Sequence, residues 1–357
     1  MRLPNTRLFS VGAVSSRCVG VWEPDGHGRI FFPTDSSDTD PDAEKVSYIN
    51  RLDLQRKHLD RKVIPKSRLA MSHIYKGGWL YAASWSSHYR YHAETFAIEE
   101  LSWKCPYTVY RGFTLPDSPW IFYPCLHSIV HELAEPGLWA YHSGDDDWTW
   151  IAWPYDPPGP SHLCALPNVD GVLAMVKGDE AAGVPARFAF FDSQTMTFEE
   201  PIPLPRADFL PSAAPDGRGG VLVADWGDQA TRRPSHGFLR YDLSEGRFST
   251  YPPPPQVGEP YHHISGPMLF GDLAYMWIRA SGGPFQNRQL VLDPRTGEYD
   301  FLVTPSQPGQ YMLTVYGTVA GDRMYNGTVD IKASSRDGVA TNNKTPGEFQ
   351  ILVSSYD

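Results

Sequence analysis

Long apolar runs are missing from this chain, and with them any segment that reads as a membrane span. The opening residues carry Arg2, Arg7 and Arg17 and lack the uninterrupted apolar centre of a secretion signal. Cysteine is scarce: Cys18, Cys105, Cys125 and Cys164 form no CxxC pair and lack the density of a secreted disulfide scaffold, so free thiols in a reducing cytoplasm are expected. The sequons at Asn326 and Asn343 matter only in a secreted protein. Charge is also sparse, at 20% of residues, and 41 acids against 31 bases leave a net charge of −10. A negative far field repels phosphate backbones and anionic lipid, so neither nucleic acid nor a membrane surface is expected as a partner. A Gly-rich phosphate loop, a GxSxG elbow and an HExxH pair are all absent, which leaves nucleotide, α/β-hydrolase and zincin chemistry without support. The acidic run Asp35 to Glu44 fails as a calcium loop, because Ala43 stands where the turn needs Gly and the twelfth place has no Glu.

Turn formers and aromatics are abundant. With 33 Pro, 31 Gly and 13% aromatics in 357 residues, the composition suits many short strands joined by tight turns in one all-β unit. The run Gly220 to Pro255 displays one such unit: an apolar strand, a polar connection, and a hairpin pairing Gly237–Tyr241 with Arg247–Tyr251, stopped by prolines. Its hairpin carries an Asp with an aromatic or Leu six positions later, and the pattern recurs at Asp53–Leu59, Asp192–Phe198, Asp242–Phe248 and Asp293–Tyr299. Two degraded copies read as Ala97–Trp103 and His142–Trp148. A spacing of about 44 to 51 residues is the period of four-stranded propeller blades.

The expected fold is therefore an all-β, seven-bladed β-propeller of four-stranded antiparallel blades over residues 1–357. Its blades span approximately 17–63, 70–110, 120–153, 162–202, 209–251, 262–303 and 312–354. The seventh blade lacks its outermost strand, and the unpartnered segment at 7–12 is expected to supply it, closing the ring and removing an edge. The repeated Asp is read as a turn cap, with no chemistry of its own. Long connections after the second strand of each blade and between blades are expected on one face, where a rigid scaffold usually carries its binding residues.

Chemistry is sought first in the histidines of the predicted inner strands. His73, His127, His162 and His263 are the candidate catalytic residues, as general bases or as hydrogen-bond partners of a substrate, and satisfied structural histidines are the competing reading. Their distribution is similar in outline to that of the carotenoid-cleaving oxygenases, which hold iron with four histidines in a seven-bladed ring. That family is longer, and His73 lies deeper in its strand than His162 and His263, so no metal ligands are assigned. The run Ser84 to His92 reads as a loop whose Trp85, His88, Tyr89 and Tyr91 form either one wall of an apolar pocket or a lid packed on their own blade. Asp225 and Trp226, with Arg279 in the next blade, can orient a carboxylate or enolate, or form surface ion pairs. Tyr261 and Tyr311, beside two blade-to-blade connections, complete the candidate substrate-binding set.

The turns Asp242-Leu-Ser-Glu-Gly-Arg-Phe248 and Asp293-Pro-Arg-Thr-Gly-Glu-Tyr299 resemble those of lactonase-like and streptogramin-lyase-like propellers. The latter family implies a magnesium-assisted elimination, but its His and Glu motif cannot be placed here. Fungal propeller cyclases of secondary metabolism, which work in an apolar funnel without a redox cofactor, are a second similar group. The expected activity is a non-redox cyclisation, isomerisation or elimination of a small, partly apolar metabolite in the central funnel, without a cofactor. A non-catalytic interaction scaffold and a metal-dependent lyase or hydrolase are the alternatives.

Overall fold

The computed structural model describes residues 1–10, 16–18, 22–36, 47–64, 70–84, 87–104, 112–115, 117–124, 137–156, 160–165, 171–176, 178, 183–205, 211–225, 236–252, 262–280, 288–303, 311–331 and 350–356. It is a seven-bladed β-propeller, built from seven antiparallel sheets whose main paths are each four strands. Among the described residues there is no helix. The first strand, Asn5–Ser10, lies antiparallel to the last, Gln350–Ser355, from Asn5 opposite Ser355 to Ser10 opposite Gln350. It completes the seventh blade outside Arg323–Ile331 and Tyr311–Ala320, as expected from the missing outer strand.

Contacts divide the chain into two units, one of residues 1–100, 275–293 and 298–357, the other of residues 101–274 and 294–297. In each unit the core is a series of apolar layers between neighbouring blades. In the first unit, Phe31, Ile49 and Ile64 of blade one pack with Leu80, Ala82, Tyr89 and Tyr91 of blade two. On the other face of blade one, Ile30, Phe32 and Leu52 pack with Tyr325, Ile351 and Val353 of blade seven, and Trp22 stacks on Phe32 at 4.4 Å. In the second unit, Phe122, Leu138 and Ala140 meet Ala174, Val176 and Phe191, while Met175 and Phe188 meet Val221, Val223, Leu239 and Tyr241. Strands packed on both faces should read as unbroken apolar runs, and Gly220–Asp225 (GVLVAD) is buried at all six positions.

The outer hairpins repeat to the residue. Asp53 Oδ1 accepts the N–H groups of Gln55 and Arg56, Asp192 Oδ1 those of Gln194 and Thr195, and Asp242 Oδ1 those of Ser244 and Glu245. Four positions after the cap, each turn needs a left-handed residue. Gly246 and Gly297 supply it without strain, but Lys57, Phe96, Asp146 and Met196 adopt φ of 51–58° with a full side chain.

Two blades differ from the sequence reading. In blade two the cap is His92, with Ile98 six positions on, so the copy anchored on Ala97 is displaced by five residues. In blade three the four strands are Phe113–Thr114, Trp120–Pro124, Gly137–His142 and Asp147–Ala152. Of the run expected as its innermost strand, residues 123–127, Tyr123 and Pro124 belong to the second strand and 125–127 lie outside the described residues; the inner partner is only two residues long and gives almost no periodic signal.

Candidate functional site

The inner edge of the first unit is organised by a turn. In Pro24-Asp25-Gly26-His27-Gly28, Asp25 Oδ1 accepts the N–H groups of His27 at 2.7 Å and Arg29 at 3.0 Å, and its other oxygen pairs with the Arg29 guanidinium. Gly26 and Gly28 take φ of 73° and 88°, which a side chain would strain. The same Pro-Asp-Gly-x-Gly turn recurs at 215–219, where Asp216 holds Arg218 N–H, Gly220 N–H and the Arg240 side chain. This turn sets the strand Glu23–Pro24 against Arg29–Ser36, with Glu23 opposite Phe31. Residues directly opposite in an antiparallel pair share a face, so Glu23 lies on the face that Phe31 turns toward blade two.

There Glu23 meets the innermost strand of blade two, Ala70–Lys76, and its Oε1 accepts the Tyr75 N–H at 3.2 Å. Glu23 as a residue is half-buried, but packing around its carboxyl, which that one hydrogen bond only partly offsets, pushes its pKa up to about 7. A group balanced there exchanges its proton at physiological pH.

His73 lies two residues along the same strand and on the same face as Tyr75. Two cross-strand rows run outward from this edge: His73, Ala82 and Tyr89, then Tyr75, Leu80 and Tyr91. His73 is 2% exposed, and among the described residues neither ring nitrogen has a partner. Burial pushes its pKa down to about 3, so the ring is neutral at physiological pH. A neutral imidazole is a poor proton acceptor but offers one hydrogen-bond donor and one acceptor without changing charge. The buried Tyr91 hydroxyl also lacks a partner among the described residues, and burial, with Tyr89 beside it, raises its pKa. One face of blade two, with Glu23 at its inner edge, therefore carries one proton carrier and two neutral polar groups, a separation of titration ranges that suits acid–base work.

Of the expected site residues, this arrangement brings together His73, Tyr89 and Tyr91. The run read as a loop through His92 is instead the third strand of blade two from His88 onward. The alternation of the HYRYH run explains this, with Tyr89 and Tyr91 on one face and His88, Arg90 and His92 on the other. His88 is buried opposite Ala83 and 6.1 Å from the Tyr81 ring, on the face away from His73. Asp225 ends its strand fully buried; its Oδ2 accepts the His236 N–H at 2.7 Å and its own N–H donates to Gly237 O, pinning the base of the following connection. His162 stands opposite Met175 in Pro160–Ala165, His263 in His262–Phe270, Arg279 in Leu273–Ala280 and Tyr311 at the start of its strand, but their side chains lie outside the described residues. Trp85, His127, Trp226 and Tyr261 lie outside them altogether.

Glu23 is the residue that the sequence reading missed. The only available signal was an acid between Trp22 and Pro24 just ahead of the glycine-rich turn. Among the described residues, no three His, Cys, Asp or Glu side chains converge as a metal-binding group would require. No protein-family model matches the chain, and no curated protein matches it.

Proposed function

We propose that the protein binds a small, partly apolar metabolite at the inner strands and promotes a non-redox cyclisation, isomerisation or elimination. Glu23 carries the proton, and neutral His73 and Tyr91 hold a polar atom of the ligand or a bridging water. The observation that carries this reading is a carboxyl held near neutrality by burial against the strand that carries a buried imidazole, which has no partner among the described residues. Perturbed titration concentrates at functional sites, and buried polar groups without partners call for an explanation beyond packing. The hairpin turns resemble those of lactonase-like and streptogramin-lyase-like propellers but carry no catalytic residue; the support from resemblance is the aromatic richness and lack of cofactor motifs, which are similar to those of the fungal propeller cyclases. No redox cofactor enters the proposal, and neither nucleic acid nor membrane is its partner.

A thermal-shift screen against a metabolite library tests the proposal, followed by turnover assays on any stabilising compound. Glu23→Gln keeps the shape of the side chain and removes its titration, so turnover should fall about a hundredfold or more while binding persists. Unchanged turnover in Glu23→Gln would remove this residue from the chemistry. His162→Ala and His263→Ala test the remaining inner-strand candidates in the same assay. A second reading, a non-catalytic interaction scaffold, is favoured by the depth of the cluster, where His73, Tyr89 and Tyr91 are at most 2% exposed. Under that reading no metabolite stabilises the protein, and Tyr91→Phe raises stability without functional cost.

A further inference from the structure

Two of the six outer turns with an assigned cap position replace the aspartate with histidine, and both histidines do the aspartate's work. His92 Nδ1 accepts the N–H groups of Glu94 and Thr95, each at 3.3 Å. His142 Nδ1 accepts the Asp145 N–H at 3.2 Å. In each case the residue directly opposite the cap is tryptophan: Trp79 meets the His92 ring edge-on at 5.0 Å, and Trp120 meets His142 at 4.6 Å. Opposite the aspartate caps stand Arg29, Gly171 and Gly220. The histidine and tryptophan thus change together within one chain, as expected if the imidazole needs a ring to hold its plane against the turn.

An imidazole nitrogen accepts a hydrogen bond only while it carries no proton. At His92 the capping ring must therefore be neutral with its hydrogen on Nε2, whereas at His142 the Asp145 carboxylate, 2.9 Å from the same Nδ1, competes with the cap. Protonation converts Nδ1 into a donor aimed at backbone donors, and the cap is lost. We infer that His92 and His142 make the outer hairpins of blades two and three acid-releasable, while the aspartate-capped hairpins stay closed over the same pH range. Stability that depends on the neutral ring is lost when the ring takes up a proton. An aspartate cap accepts as a carboxylate and needs no neutral ring. The Gln194 N–H, together with Thr195, holds the Asp192 carboxyl below the usual range, and the Ser244 hydroxyl and the Arg240 guanidinium do so at Asp242.

Surrounding charges set an order between the two histidine caps. At His142, Asp145 Oδ2 lies 2.9 Å from Nδ1 and can accept from the protonated ring, so one contact replaces another. Asp147, opposite His142, is paired with Lys104, and Asp146 accepts the Tyr141 hydroxyl and the Ser102 N–H. At His92 no ion pair to the ring is found among the described residues. Lys76 shares its row through Trp79, Arg90 lies over the Trp79 ring and pairs with Glu99, and Glu94 is exposed. The guanidinium of Arg51, which is paired with Asp60, also donates to the carbonyls of Ala93 and Glu94. Release of the His92 turn therefore loosens a tie between blades one and two, and the His92 hairpin should open first.

Amide hydrogen exchange between pH 8 and 5.5, expressed as protection factors, tests this in the intact protein. Protection at Glu94 and Thr95 should fall about fivefold, the worth of one cap, and protection at Asp145 should fall less. The amides of Gln55, Arg56, Gln194, Thr195, Ser244 and Glu245 should not change. His92→Asp, or His92→Asn if the first variant folds poorly, should abolish the loss at residues 94 and 95. Imidazole nitrogen chemical shifts at pH 8 should show the hydrogen on Nε2 of His92. A hydrogen on Nδ1, or equal losses of protection at histidine- and aspartate-capped turns, overturns the inference.

Discussion

The outer hairpins and the inner strands of this propeller are built on opposite terms. Outside, six turns share a cap, a left-handed fourth position and an apolar sixth position, and their polar groups satisfy one another locally. Inside, the layer between blades one and two holds a carboxyl and an imidazole at its inner edge and a phenol on the third strand of blade two, with few partners among the described residues. Uniformity marks the part that makes the fold, and unsatisfied chemistry marks the part proposed to meet a ligand. The histidine caps of blades two and three are the one place where the outer repeat takes on a titratable character.

The largest effect expected from breaking this contrast belongs to the frame. A Cβ at Gly137 would lie 2.6 Å from the Trp150 ring and closer still to the Ile151 carbonyl oxygen, which is backbone and cannot turn aside. Gly137→Ala should therefore cost about 3 kcal/mol in denaturant unfolding, with ligand binding by the remaining folded protein unchanged.

Next come two opposed pH slopes from the inner strands. Glu23 has its pKa raised from 4.5 to about 7, so its contribution to stability is full below pH 4.5 and is lost as pH rises toward 7. His73 has its pKa lowered from 6.5 to about 3, so its contribution is present above pH 6.5 and is lost as pH falls toward 3. Between about pH 4.5 and 6.5 the two oppose each other. Glu23→Gln should leave a melting temperature that falls more steeply on acidification than in the wild type, and His73→Phe should leave one that falls less steeply. Matching slopes in all three proteins would contradict both assignments.

These expectations follow the line between what was legible in the sequence and what was not. The aspartate turns were readable because the cap, the bend and the apolar sixth position are all local chemistry within seven residues. His92 escaped because imidazole does the work of a carboxylate there, and the search for an aspartate-like anchor passed on to Ala97. The strand His88–His92 was read as a loop because its aromatics suggested a pocket wall before their alternation was weighed. Blade three slipped by a strand because its inner partner is two residues long. His73, Tyr89 and Tyr91 were picked out as residue types, yet their common face depends on register, which sequence leaves open. Glu23 was invisible for a deeper reason: its titration comes from burial against another blade, and no neighbour in sequence reports that.

A smaller effect sharpens the outer half of the comparison. Lys57 is exposed and holds φ of 53° where blades five and six use glycine. Lys57→Gly should therefore raise stability by about 0.5–1 kcal/mol, read as a shift in the denaturant midpoint at constant slope.

The account turns on whether the inner strands hold a proton at neutral pH. Carboxyl carbon-13 shifts of glutamate-labelled protein, followed from pH 4 to 9 and assigned with Glu23→Gln, answer this directly. A Glu23 midpoint near 7 is the predicted result, and a midpoint in the ordinary glutamate range, about 4.3, would contradict it.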